Sequence, residues 1–231
     1  MRKIWVSGAS TGIGQALVAE AISNGFGVVA TSRSKENLER LSKLVNSKNL
    51  ITAVCDVSSI ESINSFFETE FKTESPSILI NCAGITTFKD AVKTSIEEFD
   101  SIIKTNLLGS VYTIRTVLPS MIEKKSGTIL NISSVASRDV LKASSIYSAS
   151  KAGLLQFSRV VREEVREHNI KIIDVLPGAT ETPIWHEKVR EKYSDRMMQP
   201  ESLAKFIVNL LLDETNIVPE EIIFKPVTGN L

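Results

Sequence analysis

Three residues near the middle of the chain have the types and spacing for carbonyl chemistry. Tyr147 and Lys151 stand four apart, and Ser134 lies thirteen positions before the tyrosine, in NISSVASRDVLKASSIYSASK (131–151). A helix beginning near Ser145 puts tyrosine and lysine on one face, one turn apart. A free tyrosine titrates near pH ~10 and is a poor proton donor or acceptor at neutral pH. An ammonium within ~4–6 Å favours the phenolate and lowers that value. A drop to ~7 needs roughly 4 kcal/mol, within reach of a desolvated lysine plus a cofactor cation. A serine hydroxyl beside the tyrosine can hold a carbonyl oxygen while it is protonated as hydride arrives. Taken alone, a tyrosine four residues before a lysine is also what a solvated helix edge looks like, so the pair draws its weight from what lies upstream.

Upstream stands a glycine-rich turn. An apolar strand over 3–7 runs into GASTGIGQALVAEAISNG, where Gly8, Gly12 and Gly14 precede a helix with apolar spacing at Leu17, Val18, Ala21 and Ile22, closed by Gly25. A strand, a glycine turn and a helix N-terminus form an anion site, because glycines let the backbone approach a pyrophosphate and free N–H groups point at it. The spacing is G-x-x-x-G-x-G, distinct from G-x-G-x-x-G and from a P-loop. A second strand over 27–32 ends in Ser32-Arg33-Ser34, where a dinucleotide site has either an acid for the ribose hydroxyl or an arginine for a 2′-phosphate. A guanidinium grips a phosphate with two hydrogen bonds, so NADP is expected over NAD.

The elements that must carry these residues follow a steady alternation. A helix is expected over 35–45, a strand over 50–55, and a helix capped by Ser58 with Glu61; a strand over 77–81 then leads into Asn81-Cys82-Ala83-Gly84. Asp56 reads either as a turn acid or as a partner for an adenine amino group. A long helix over 95–124 starts with a Ser95/Glu98 capping box. Asn106 and Gly109 suggest a local distortion in it, or an asparagine satisfied by backbone, and Pro119 a bend or an end. A strand over 127–133 delivers Ser134, the Tyr147 helix runs to about His168, and a strand over 170–176 ends at Pro177-Gly178. The last strand and a short tail fall in EEIIFKPVTGNL. This rhythm predicts an α/β fold: a Rossmann-type, doubly wound parallel sheet of about seven strands with helices on both faces, forming one domain over 1–231.

Composition sets bounds on function. Lysine plus arginine and aspartate plus glutamate both number 27, so the zero net charge argues against a nucleic-acid or anionic-membrane surface. The N-terminus lacks an apolar signal core and no run is long enough to span a membrane. Cys55 and Cys82 lie in apolar, strand-like runs and read as buried thiols of a reducing, cytoplasmic compartment. Two isolated histidines and these cysteines make no metal site.

The ordered set resembles the short-chain dehydrogenase/reductase family, in its compact single-domain branch, over nearly the whole chain. The family's TGxxxGxG is matched by 7–14 (SGASTGIG), its NNAG by 81–84 with Ile80 in place of the first Asn, its helix Asn by Asn106, its Ser and YxxxK by Ser134, Tyr147 and Lys151, and its PG with a nearby Thr by Pro177, Gly178 and Thr182. The resemblance implies an NADPH-dependent reductase of a small or medium carbonyl, working reversibly on the alcohol. In it Tyr147 is the acid/base, Lys151 lowers its pKa and holds the nicotinamide ribose, Ser134 orients the carbonyl, and Asn106 props a water that relays protons to Lys151. The implied cofactor contacts are Gly8, Ser10, Thr11, Gly12, Ile13, Gly14, Ser32, Arg33, Asp56, Val57, Asn81, Ala83, Gly84, Tyr147, Lys151, Pro177, Gly178, Thr180 and Thr182. The resemblance also implies a homodimer, or a homotetramer, through two long helices. Other readings are a nucleotide-binding sensor or scaffold without turnover and an NAD-dependent alcohol dehydrogenase.

The substrate side is expected from 135–146, 85–88 and a lid at about 180–199. In the lid Ile184, Trp185, Val189 and Tyr193 fall along one helical face, as an apolar pocket with Val140, Leu141 and Met197 or as lid packing. Arg138 and Lys142 read as solvated loop charges or as holders of an acidic substrate, and His186 as an exposed lid residue.

Overall fold

A computed structural model describes residues 2–213 and 215–229; the last two residues of the tail lie outside them. Seven strands, β1 (Lys3–Ser7), β2 (Gly27–Ser32), β3 (Leu50–Val54), β4 (Ile78–Asn81), β5 (Gly127–Ile132), β6 (Ile170–Pro177) and β7 (Glu221–Phe224), form one sheet in the order β3-β2-β1-β4-β5-β6-β7. Every pairing is parallel. The helices are α1 (Gly12–Ser23), α2 (Lys35–Val45), α3 (Ile60–Glu70), α4 (Ile96–Ile102), α5 (Gly109–Lys124), α6 (Ser145–Val165), α7 (Glu187–Tyr193) and α8 (Pro200–Leu212).

The two-residue period of the strands builds two cores. Ile4, Val6, Ile78, Ile80 and Leu130 point to one face, against Leu17 and Val18 of α1, Leu38 and Leu41 of α2, and Ile207 and Val208 of α8. Trp5, Leu79 and Ile129 point to the other, against Ile63 and Phe66 of α3, Ile114 and Val117 of α5, and Val161 of α6. Trp5 is fully buried, donates from Nε1 to Thr31 Oγ1 at 2.9 Å, and meets Phe66 at 5.0 Å between ring centroids.

Local signals set most helix ends. Ser34 caps α2 by accepting from Asn37 N, and Asn46 closes it at a φ of 43°. Ser95 and Glu98 form the expected capping box on α4. The cap of α3 is Ser59, whose hydroxyl accepts from Ser62 N, rather than Ser58. Ser58 is drawn away by Asp56, whose Oδ1 accepts from both its N (2.9 Å) and its Oγ (2.7 Å). The single helix expected over 95–124 is three pieces: α4, a π-helical segment over Ile103–Leu108, and α5. The distortion expected at Asn106 is that wide turn. Pro119 does not end α5, which continues to Lys124.

One polar row crosses the sheet. Ser7, Asn81, Asn131 and Asp174 sit side by side in register on β1, β4, β5 and β6. Asn81 accepts from Ser7 Oγ (3.3 Å) and Thr113 Oγ1 (2.7 Å) and donates to Asn131 Oδ1 (2.9 Å). Asn131 donates to Asp174 Oδ1 (3.2 Å), and Asp174 Oδ2 accepts from the buried Arg162 of α6 at 2.7 Å. Buried polar groups must be paired, so this row fixes the relative register of the four strands whose ends carry the site.

Candidate active site

At the carboxyl edge of the sheet lies a cavity of about 710 Å³. Of the residues singled out from sequence, Gly8, Ser10, Thr11, Gly12, Ile13, Ser32, Arg33, Val57, Ala83, Gly84, Ser134, Tyr147, Lys151, Pro177, Gly178, Thr180 and Thr182 line it. Four do not. Gly14 lies behind the turn, where a Cβ would fall 2.2 Å from Gly8 O. Asp56 closes its own turn, Asn81 belongs to the polar row, and Asn106 is fully buried in the π-helical segment.

The glycine turn is shaped for a close-lying ligand. Gly8 and Gly12 have φ of +66° and +56°, and a Cβ on Gly8 would come 2.5 Å from Ala83 N. Thr11 caps α1 with no side-chain hydrogen bond, which leaves the first-turn N–H groups to a ligand. Gly12 faces Thr182, whose Cβ a Cβ at Gly12 would approach to 3.0 Å. Arg33 is exposed at the end of β2 and lines the cavity together with Ser34 and Asn37. These residues fit an adenine dinucleotide: a backbone cradle for its pyrophosphate and a guanidinium for a further phosphate.

Tyr147 and Lys151 lie on the first two turns of α6, with the ammonium 5.9 Å from the tyrosine ring centroid. Lys151 is buried and its Nζ donates to Ile132 O at 2.7 Å. Burial pushes its pKa down to about 8. Tyr147 differs from expectation. Loss of solvent raises its pKa, and the hydrogen bond with the Ser134 side chain offsets this only in part. The Lys151 ammonium is hydrogen-bonded to Ile132 O. Ser134 Oγ also accepts from Ala136 N (3.1 Å), which orients the hydroxyl beside the tyrosine. Asn106 holds both backbone groups of Ile85: Oδ1 accepts from Ile85 N (2.8 Å) and Nδ2 donates to Ile85 O (2.9 Å) and to Ser150 Oγ (3.1 Å). A protonated tyrosine paired with a serine can polarise and protonate a carbonyl oxygen.

The substrate side departs from the sequence reading in several places. Leu141, Ile184 and Trp185 line the cavity, but Val140 is 96% exposed outside it and Met197 is packed away from it. Ile184 and Trp185 precede α7 rather than lying on it, and Trp185 stacks on Phe88 at 4.7 Å and 11°. Arg138 is ion-paired with Glu221. His186 is exposed and caps α7 by accepting from Lys188 N. Cys55 and Cys82, expected inside strands, follow them and line the cavity as free thiols, with Cys82 pushed up to about 12 by burial. Sequence reasoning missed the roles of Ile132 O and Ser150, and it placed Phe88 on the substrate side without its stack on Trp185. Ser150 had a signal in its place next to Lys151, whereas the Ile132 carbonyl and the Phe88–Trp185 stack depend on tertiary contacts.

A sequence model described as short chain dehydrogenase matches residues 2–193. An uncharacterized oxidoreductase of Staphylococcus saprophyticus is 30% identical over 227 residues, covering 96% of each chain. A closed form of serine dehydrogenase complexed with NADP+ superposes with a TM-score of 0.92 at 28% identity, over 99% of this chain and 96% of that one. A metagenomic short-chain oxidoreductase in complex with NADP gives a TM-score of 0.85 at 27% identity, over 98% and 97%.

Proposed function

The chain belongs to the short-chain dehydrogenase family, and from that premise we propose that it is an NADPH-dependent oxidoreductase that reduces a small or medium carbonyl to an alcohol, reversibly. One observation carries the reading: Ser134, Tyr147 and Lys151 share a cavity with the glycine turn and Arg33. Similar proteins that hold NADP support the choice of cofactor.

The nicotinamide cofactor supplies the hydride. Gly8, Ser10, Thr11, Gly12, Ile13 and Gly14 form the pyrophosphate cradle and its base, and Ser32 and Arg33 take the 2′-phosphate. Val57 borders the adenine and Ala83, Gly84, Pro177, Gly178, Thr180 and Thr182 shape the channel beyond, with Asp56 and Asn81 bracing these walls from behind. Ser134 Oγ holds the substrate oxygen and the Tyr147 hydroxyl gives it a proton. Burial raises the tyrosine pKa, so its proton is in place at neutral pH, and the charges of Lys151 and of the bound cofactor would have to draw that value down for efficient transfer. Lys151 holds the cofactor ribose, and Asn106 positions the loop at Ile85 and the proton path behind the lysine.

Residues 180–199 act as the substrate lid, and the protein forms a homodimer through α5 and α6, for which light scattering is the check. No helix among the described residues is long and apolar enough to cross a membrane. The free thiols suit a cytoplasmic location. NADPH consumption against ketones, aldehydes, diketones and β-ketoacyl thioesters tests the proposal, and tight NADPH binding without turnover of any would reject it.

A further inference from the structure

The part of the cavity beyond Tyr147 is formed by three loops. Ile85, Thr86 and Phe88 follow β4, Val135, Leu141 and Ser144 follow β5, and Pro183, Ile184 and Trp185 follow β6. All nine are uncharged. Among the described residues, the charged side chains that line the cavity are Arg33 and Lys151. Arg33 follows β2, three strands from β5, which at ~4.8 Å per strand places it roughly 14 Å across the sheet. Lys151 is 4% exposed, its ammonium donates to Ile132 O, and its remaining donors serve the cofactor ribose in the reading above.

The charges that the three loops do carry are turned elsewhere. Arg138 pairs with Glu221, and Asp139 accepts from Lys225 at 2.9 Å. Lys89 pairs with Glu98 at 2.5 Å, and Glu181 accepts from Ser194 and Gln199. Lys142 is exposed and outside the cavity. A carboxylate or phosphate on the substrate would therefore lose water and find no cation. What the walls offer instead is a flat apolar surface. The Phe88 and Trp185 rings stack across the gap between the loop after β4 and the segment before α7. Asn106 holds the first of these loops through both backbone groups of Ile85.

We infer that the substrate is an uncharged carbonyl compound with a planar or bulky apolar substituent, and that carbonyls bearing a carboxylate or phosphate are rejected. Resting on the reductase reading, this separates the chain from the serine dehydrogenase it resembles in fold, since an amino acid would bring a carboxylate into a cavity with no partner for it.

The test uses matched probes on the NADP+-loaded full chain: acetophenone against its para-carboxylate, and acetylnaphthalene against its ring carboxylate. Calorimetric titration reads binding, and NADPH consumption reads turnover. The neutral member of each pair should bind at least roughly ten-fold more tightly, since a buried unpaired charge is expensive. Trp185→Ala and Phe88→Leu should each weaken the neutral probes several-fold while NADPH affinity stays unchanged. Equal or tighter binding of the carboxylates, or no binding of either neutral probe, overturns the inference. Selective binding of neutral probes without reduction would sink the reductase reading and leave this one standing. Ready reduction of the carboxylates would do the reverse.

Discussion

The side-chain nitrogen of Lys151 lies 2.7 Å from the carbonyl oxygen of Ile132, the residue that ends β5 and immediately precedes Ser133 and Ser134. That bond ties the lysine of α6 to the strand that delivers the serine, so two of the three chemical groups share one anchor. It also keeps an ammonium buried in the protein without a counter-charge.

Substituting Lys151 should therefore stabilise the protein. Burial drops its pKa from 10.5 to about 8, equivalent to ~3 kcal/mol against the charged form. Between those two values the unfolded chain binds more protons than the folded one, so stability from this group rises with pH across that window and is lowest below pH 8. Lys151→Met should gain about 1–2 kcal/mol at pH 7, after ~1 kcal/mol for the orphaned Ile132 carbonyl. Urea denaturation at pH 7 and pH 10 checks this: the advantage of the variant should shrink at the higher pH.

Three glycines separate packing from backbone strain. Gly14→Ala would drive a Cβ to 2.2 Å from Gly8 O, and Gly8→Ala would drive one to 2.5 Å from Ala83. Both should cost about 2–4 kcal/mol and abolish dinucleotide binding. Gly25 has a φ of +83° with open space around it, so Gly25→Ala should cost only ~1–2 kcal/mol and leave binding intact. Thermal unfolding and fluorescence titration with NADPH distinguish the three.

Arg162→Met should strand Asp174, which is 0% exposed and paired with that guanidinium. Loss of one partner of a buried pair costs about 3–5 kcal/mol. Burial already pushes the Asp174 carboxyl up from 3.8 to about 6. The folded state thus holds the extra proton between these values, and this group's contribution falls as pH rises through them. Removing the guanidinium raises the pKa further, so the loss measured by denaturation should be smaller at pH 5 than at pH 8. Adding Asp174→Asn should restore most of the stability.

Arg33→Ala should weaken NADPH by about ten-fold or more and NADH by little, because a charge-assisted bidentate contact to the 2′-phosphate is lost only in the former. Equal losses in paired titrations would contradict the assignment.

Much of this was legible in the sequence where the signal is local. The bounds of α2 follow from an apolar stripe with Ser34 before it, and the Ser134, Tyr147 and Lys151 spacing picks out three residues that the fold brings to one cavity. Where two neighbours compete, sequence falls short: Ser58, three residues before Glu61, is the expected cap, yet Asp56 claims it and Ser59 caps the helix instead. Long-range contacts are invisible for the same reason. Trp185 fits a helical stripe, yet its position is set by Phe88, far away in the chain. Asn81, Asn131 and Asp174 each look like an isolated polar residue in an apolar strand, and only the register makes them a row. The tyrosine pKa is set chiefly by burial, which the spacing of tyrosine and lysine does not determine.

The most direct measurement is carbonyl-dependent NADPH oxidation by Tyr147→Phe beside the unaltered protein, with NADPH affinity measured for both. The expected result is a loss of roughly 10²–10⁴-fold in turnover, the contribution of a positioned acid/base, with NADPH affinity little changed. Turnover retained in full by the phenylalanine variant would contradict the assignment of Tyr147 as the proton donor.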